Sequence, residues 1–250
     1  IHGGPGMDSS YFLPYLLPLS KNNRLIIYDQ RGCGNSISNN NLSISQYVED
    51  LEILRKKLKL KKVTFLAHSF GCIIAAKYLI KYTSNIDKVI FVSGYLRRHP
   101  DQYKYYKIPI KLQKKINEIQ ASNIDLTTKK NMIKALRFSL YFHKLKFKEF
   151  AFLQKFIKNI KFNDSIFNEI SSSQEYLTFD VRNELKKISN IPALILVGKH
   201  DIVTPPFLSM ELSNHIKNSK LQVLNKSGHF PFIEQNIKFI NLINNFLINS

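Results

Sequence analysis

Short apolar runs alternate with stretches of helical period along most of this 250-residue chain. Val63–Ala67 is one such run, and it passes within three residues into Phe70–Tyr82, where Ile73, Ile74, Ala76 and Leu79 recur at helical spacing. Arg24–Asp29 (RLIIYD), Val89–Val92, Ala193–Val197 and Leu221–Leu224 read as further buried strands. Ser43–Leu60 predicts a helix, with Ile44, Tyr47, Val48, Leu51, Leu54 and Leu58 on one side and a Ser43/Gln46 capping box at its start. Phe207–Ile216 and Gln235–Ile248 predict two more. Strands alternating with helices imply the α/β class: a mostly parallel sheet covered on both faces.

The alternation stops between Arg97 and about Thr178. That stretch has no glycine, is rich in Lys, Phe, Tyr and Leu, and predicts several helices. Met132–Lys148, with Ile133, Leu136, Leu140 and Leu145 on one side, is an example. A helical insertion in an α/β chain commonly covers one end of the sheet. The expected organisation is a core of residues 1–96 and 179–250 with a helical cap over 97–178.

Composition excludes several classes. Hydrophobic residues at 44% and charged residues at 22% rule out a disordered chain. Two cysteines, Cys33 and Cys72, give neither a disulfide framework nor a cysteine zinc site, and no redox role is expected of them. No apolar run approaches the roughly 20 residues of a membrane span, so no membrane partner is expected. The net charge of +19 raises the question of a polyanion. Residues 97–180 hold 17 basic and 8 acidic side chains, a net +9, leaving +10 elsewhere. The charge is thus spread rather than gathered. Lys (30), Ile (31) and Asn (23) greatly outnumber Ala (7). Those three residue types have A/T-rich codons, so genomic drift accounts for the charge without a nucleic-acid partner. Tyr103, Tyr105 and Tyr106, interleaved with Lys104 and Lys107, suit single-strand stacking, but an amphipathic part of the insertion is the expected reading. The opening Ile1-His2-Gly3-Gly4 looks like the end of a buried strand, so residues upstream of Ile1 are expected; a cytoplasmic location is a separate expectation.

Three segments carry chemistry. Ala67-His68-Ser69-Phe70-Gly71 joins a strand to a helix with small residues two before and two after a serine, the form of a nucleophile elbow. His2-Gly3-Gly4-Pro5-Gly6 makes a tight loop whose amides can face a ligand. Acyl transfer needs donors aimed at the developing oxyanion, and the amides of Gly4 and Phe70 are the candidates. Val197-Gly198-Lys199-His200-Asp201 and Ser227-Gly228-His229 follow the last two strands. The order Ser69, Asp201, His229 is that of α/β-hydrolase triads, and both partners fall on loops at strand C-terminal ends.

On these residues the chain resembles the proline iminopeptidase family of α/β-hydrolases. His2–Gly6 is similar to the family's HGGPG loop, and Asp29-Gln30-Arg31-Gly32-Cys33-Gly34-Asn35-Ser36 to its DQRGxGxS segment. The resemblance implies an α/β-hydrolase fold with a helical cap and first strands that precede Ile1. It also implies Ser69 as nucleophile, His229 as base and then acid, and Asp201 as orienting group, with no metal or organic cofactor. Ser69 excludes the aspartate nucleophile of other members of this fold.

The expected substrate is a short peptide with an N-terminal proline or similar small residue. Its ammonium needs a carboxylate partner. Asn168-Glu169 resembles the Asn-Glu step of these peptidases, which points to Glu169, with Glu175 in reserve. A carboxylesterase or lactonase on the same triad is the alternative. A ligand receptor on a retained hydrolase scaffold, or a polyanion binder, stands further off.

Overall fold

The computed structural model describes residues 1–38, 42–99, 107–143, 157, 159–186 and 190–249. Tyr103, Tyr105, Tyr106 and Lys104 lie outside the described residues. Four strands form one parallel sheet in the order β1 (Val63–His68), β2 (Ile86–Val92), β3 (Ala193–Gly198), β4 (Ser219–Leu224). Each matches a predicted run with its ends shifted by up to three residues. The long helices in chain order are α1 (Ile44–Lys57), α2 (Phe70–Lys81), α3 (Ile110–Ala121), α4 (Leu126–Ser139), α5 (Asp164–Ser172), α6 (Pro206–His215) and α7 (Asn236–Asn249).

The central strands β2 and β3 are buried on both faces, and their side chains alternate between two cores. In β2, Val89 and Phe91 enter one core, and Ile90 and Val92 enter the other. Ala193 and Ile195 of β3 likewise separate from Leu194 and Leu196. The first core is closed by α1, α2 and α6, and the second by α7 with Tyr11, Phe12, Phe230 and Phe232. Ser43 caps α1, its hydroxyl accepting the Gln46 N–H at 3.0 Å. The Gln46 side chain turns instead to Asp50 at 3.0 Å.

Two expectations change. Arg24–Asp29 joins no ladder among the described residues. A strand exists only by pairing, and an apolar cleft of about 360 Å³ separates this segment from β1. Ile1 alone reaches that edge, its nitrogen bonded to Leu66 O at 2.7 Å and its carbonyl accepting the His68 N–H. The expected Met132–Lys148 helix begins earlier, at Leu126, because the Asp125 carboxylate caps it through the Thr128 N–H. It ends at Ser139, whose hydroxyl bonds Leu136 O at 2.6 Å, a local bond that competes with helix continuation. Leu145 and Lys148 lie outside the described residues.

The insertion departs and returns through paired stems. Arg97 and Asp180 form an antiparallel bridge, and the Val181 N–H donates to Leu96 O at 3.0 Å. Within it, α3 and α4 share a small core of Ile116, Ile119 and Leu136.

Candidate active site

Parallel strands present their C-terminal ends to one edge of the sheet. Ser69 follows β1, Asp201 follows β3 and His229 follows β4, so all three arrive at that edge. Ser69 has φ 52° and ψ −119°, the strained backbone of a sharp strand-to-helix turn. Its N–H is anchored to Val92 O of β2 at 2.9 Å. The need for glycine two residues on is steric: a Cβ at Gly71 would come within 2.5 Å of the His2 carbonyl and 2.6 Å of that of Ile1. The elbow and the His2–Gly6 loop therefore pass at backbone contact. Ala67, fully buried, fills the corresponding place before the serine.

Asp201 and His229 are both nearly inaccessible. His229 Nδ1 lies 2.9 Å from Asp201 Oδ2. The carboxylate also accepts the Val203 and Thr204 N–H groups on Oδ1, each at 2.9 Å, and the Thr204 hydroxyl on Oδ2 at 2.8 Å. Gly198 allows this convergence, since a Cβ there would meet Gly228 O at 2.0 Å. Ser69 and His229 share the floor of a cavity of about 740 Å³. No hydrogen bond joins them among the described residues, and apo sites often hold such pairs apart until substrate closes them.

Gly4 lines the same cavity. Its amide and that of Phe70, first residue of α2, are unpaired among the described residues, as helix-start amides are by default. The Phe70 ring turns away to pack on Tyr47 and Tyr176.

Residues that sequence reasoning passed over hold this arrangement. Tyr11 Oη accepts the Gly3 N–H at 2.5 Å and lies 3.0 Å from His68 Nδ1. His68 Nε2 reaches His229 O at 2.9 Å. Burial drives the His68 pKa well below the ordinary value, so its ring is neutral, accepts from Tyr11 and donates to His229. One chain of bonds thus ties the glycine loop to the backbone of His229. Thr204 has the same standing beside Asp201. The Asp29–Ser36 segment is scaffold. The Gln30 side chain donates to His2 O at 2.7 Å, Asp29 accepts from Ser9 and Asn35, and Arg31 clamps Asp50. Burial lowers the His2 pKa to about 4. Cys33 and Cys72 are buried free thiols, and burial raises both to about 12, so neither is a reactive thiolate.

The two expected glutamates do not reach the cavity. Glu175 binds the start of α1, accepting from Ile44 N–H at 2.8 Å and the Ser45 hydroxyl at 2.6 Å, and pairs with Lys77 at 2.6 Å. Glu169 is exposed on α5 and is not among the lining residues. The acid that lines the cavity from α5 is Asp164, like Glu169 an exposed residue. The reason is helical phase: Asp164 and Phe167 share the cavity-facing side, whereas five residues at 100° each carry Glu169 about 140° round from Asp164. Among the described residues no group of His, Cys, Asp and Glu could hold a metal ion. None of their helices is long and apolar enough to cross a membrane.

The α/β-hydrolase fold family matches residues 1–235. A proline iminopeptidase of Heyndrickxia coagulans is 30% identical, with 99% of this chain and 88% of that protein aligned. The proline iminopeptidase of Saccharolobus solfataricus is also 30% identical, over 99% and 83%. Among solved structures, an alpha/beta fold family hydrolase from Bacillus anthracis superposes with a TM-score of 0.76 at 22% identity, covering 98% of this chain and 90% of that one. The chain belongs to the α/β-hydrolase fold family and, within it, to the proline iminopeptidase family.

Proposed function

We propose that the protein is a serine hydrolase that removes an N-terminal proline or similar small residue from short peptides through an acyl-enzyme. The observation that carries this is the buried His229–Asp201 pair, 2.9 Å apart, beneath a cavity that also holds Ser69 at its strained turn. With Nδ1–H donated to Asp201, His229 keeps Nε2 as the base that takes the Ser69 proton. Ser69 Oγ attacks the scissile carbonyl, and the Gly4 and Phe70 amides receive the oxyanion. His229 then returns the proton to the leaving amine. Water, activated by the same imidazole, releases the acyl group and restores Ser69. No step needs a metal or cofactor. The insertion over 97–178 serves as the cap, since α4 and α5 supply the cavity's outer walls.

For the substrate ammonium, Asp164 takes the part that sequence reasoning gave to Glu169 and Glu175. It is the one carboxylate lining the cavity among the described residues. It sits beside the glycine loop, because the Asn163 N–H donates to Gly6 O at 2.8 Å. Asp164→Asn is expected to lower kcat/KM for proline naphthylamide by about 10–100-fold, the worth of a charge-assisted hydrogen bond. It should leave p-nitrophenyl acetate turnover within about twofold, because that ester brings no cation. Equal loss on both substrates would remove the ammonium role. A second reading, an esterase or lactonase on the same residues, is favoured by the apolar walls that Met7, Phe138, Phe162 and Phe230 give the cavity. Turnover of p-nitrophenyl acetate with no cleavage of proline naphthylamide would select it.

A further inference from the structure

Three cations line the candidate active-site cavity from a single helix. Lys130, Lys134 and Arg137 all belong to α4 and all face the 740 Å³ space above Ser69. Their i, i+4, i+7 spacing places them on one side of the helix. None has an ion-pair or hydrogen-bond partner among the described residues. All three are exposed at the cavity rim, and Lys134 Nζ lies 4.6 Å from the centroid of the Phe162 ring, itself part of the wall.

Helix stability does not account for this row. Like charges at i, i+4 destabilise a helix. The helix dipole favours Arg137, in the last turn, but does nothing for Lys130 near the other end. Opposing them, Asp164 is the one carboxylate of the lining among the described residues. Clefts lined by one sign of charge concentrate ligands of the other sign.

The position of the row says which end of a substrate it meets. The chain leaving α4 runs directly onto His229: the His229 N–H donates to Tyr141 O at 2.6 Å, and the two rings lie 5.4 Å apart. His229 is where the leaving group collects its proton. Arg137, at the end of the row, is therefore on the His229 side, while Lys134 reaches over Phe162, whose bridge to Met7 brings it to the glycine loop and Asp164.

We infer that Lys130, Lys134 and Arg137 recognise a carboxylate on the leaving group, so that short peptides with a free C-terminus are preferred over the same peptides amidated. With Asp164 on the ammonium, the cavity is matched to a zwitterion of two or three residues. This rests on the reading of Ser69 and His229 as nucleophile and acid, but not on the peptidase reading.

The test uses two matched pairs, each differing only by the leaving-group charge: prolyl-phenylalanine against its amide, and 4-acetoxybenzoate against 4-acetoxybenzamide. Each acid-to-amide ratio of kcat/KM is measured for the unmodified protein and for the K130E/K134E/R137E variant, so that intrinsic leaving-group reactivity cancels. The ratio is expected to be about tenfold higher in the unmodified protein. It should fall towards the variant's value in about 0.5 M NaCl, where screening is strong. The neutral K134Q/R137Q variant should give an intermediate ratio. If neither peptide is cleaved while the ester pair keeps this dependence, the aminopeptidase reading falls and the cationic row stands. A ratio unchanged by charge reversal and by salt, in whichever pair is turned over, overturns the proposal.

Discussion

At the scale of residues, a few side chains have their chemistry decided by their neighbours. Ser69→Ala should lower kcat by about 10⁴–10⁶-fold with the fold intact, as read by steady-state rates and circular dichroism. His229→Ala should be similarly damaging, and the double variant barely worse than either, because such groups act as a unit. A further loss of several decades in the double variant would mean that the two act separately. Thr204 gives a finer test. Its hydroxyl bonds Asp201 Oδ2 and lies 3.2 Å from His229 Nδ1. Thr204→Val leaves the backbone bonds to Asp201 in place and removes about 1 kcal/mol of positioning. A loss of about fivefold in kcat, with KM little changed, is expected. The sequence order Ser69, Asp201, His229 was legible because each residue follows a strand of a parallel sheet. Thr204 and Tyr11 were not: their roles are hydrogen bonds, and the partners of Tyr11 and His68 are brought together from 57 residues apart.

At the scale of elements, the junction of α1 and α2 carries two carboxylates whose roles are structural. Glu52, 4% exposed, binds Arg55 through both guanidinium donors and accepts the Tyr78 hydroxyl. The Arg55 contact, with burial opposing and Tyr78 assisting, lowers its pKa to about 2. A lowered carboxyl pKa stabilises the fold above the unfolded value near 4.5, and that contribution is lost as pH falls towards about 2. Urea midpoints should therefore drop through this window. Glu52→Gln should cost about 2 kcal/mol at pH 7 and flatten the dependence, and an unchanged slope would discard the assignment. Glu175 pins the end of the insertion to the start of α1. Burial opposes its ionisation, yet Lys77 and Ser45 hold its pKa below the ordinary value. Glu175→Gln should reduce stability by about 1–2 kcal/mol and leave the preference for free-amine substrates unaltered; a changed preference would return it to the substrate site. Helices and strands were legible from period, but the phase of α5 against a cavity built by other elements was not. The sequence pointed to Glu169 on α5, whereas the α5 carboxylate that lines the cavity is Asp164.

At the scale of the whole molecule, the parallel sheet was legible because its central strands β2 and β3 are buried on both faces and read as apolar runs. Arg24–Asp29 has the same composition yet joins no ladder, since pairing depends on a neighbour that composition cannot supply. Net charge was the weakest guide. The value of +19 is spread along the chain and points to no partner, and it does not single out Lys130, Lys134 and Arg137, which line the cavity. The central claim is that the elbow serine is the nucleophile of this fold. Its most direct test is labelling with a fluorophosphonate, followed by mass mapping of the modified peptide. The account predicts one adduct per chain, on Ser69, formed far more slowly in His229→Ala and absent in Ser69→Ala. An adduct that persists in Ser69→Ala, or that maps to another residue of the unmodified protein, would contradict it.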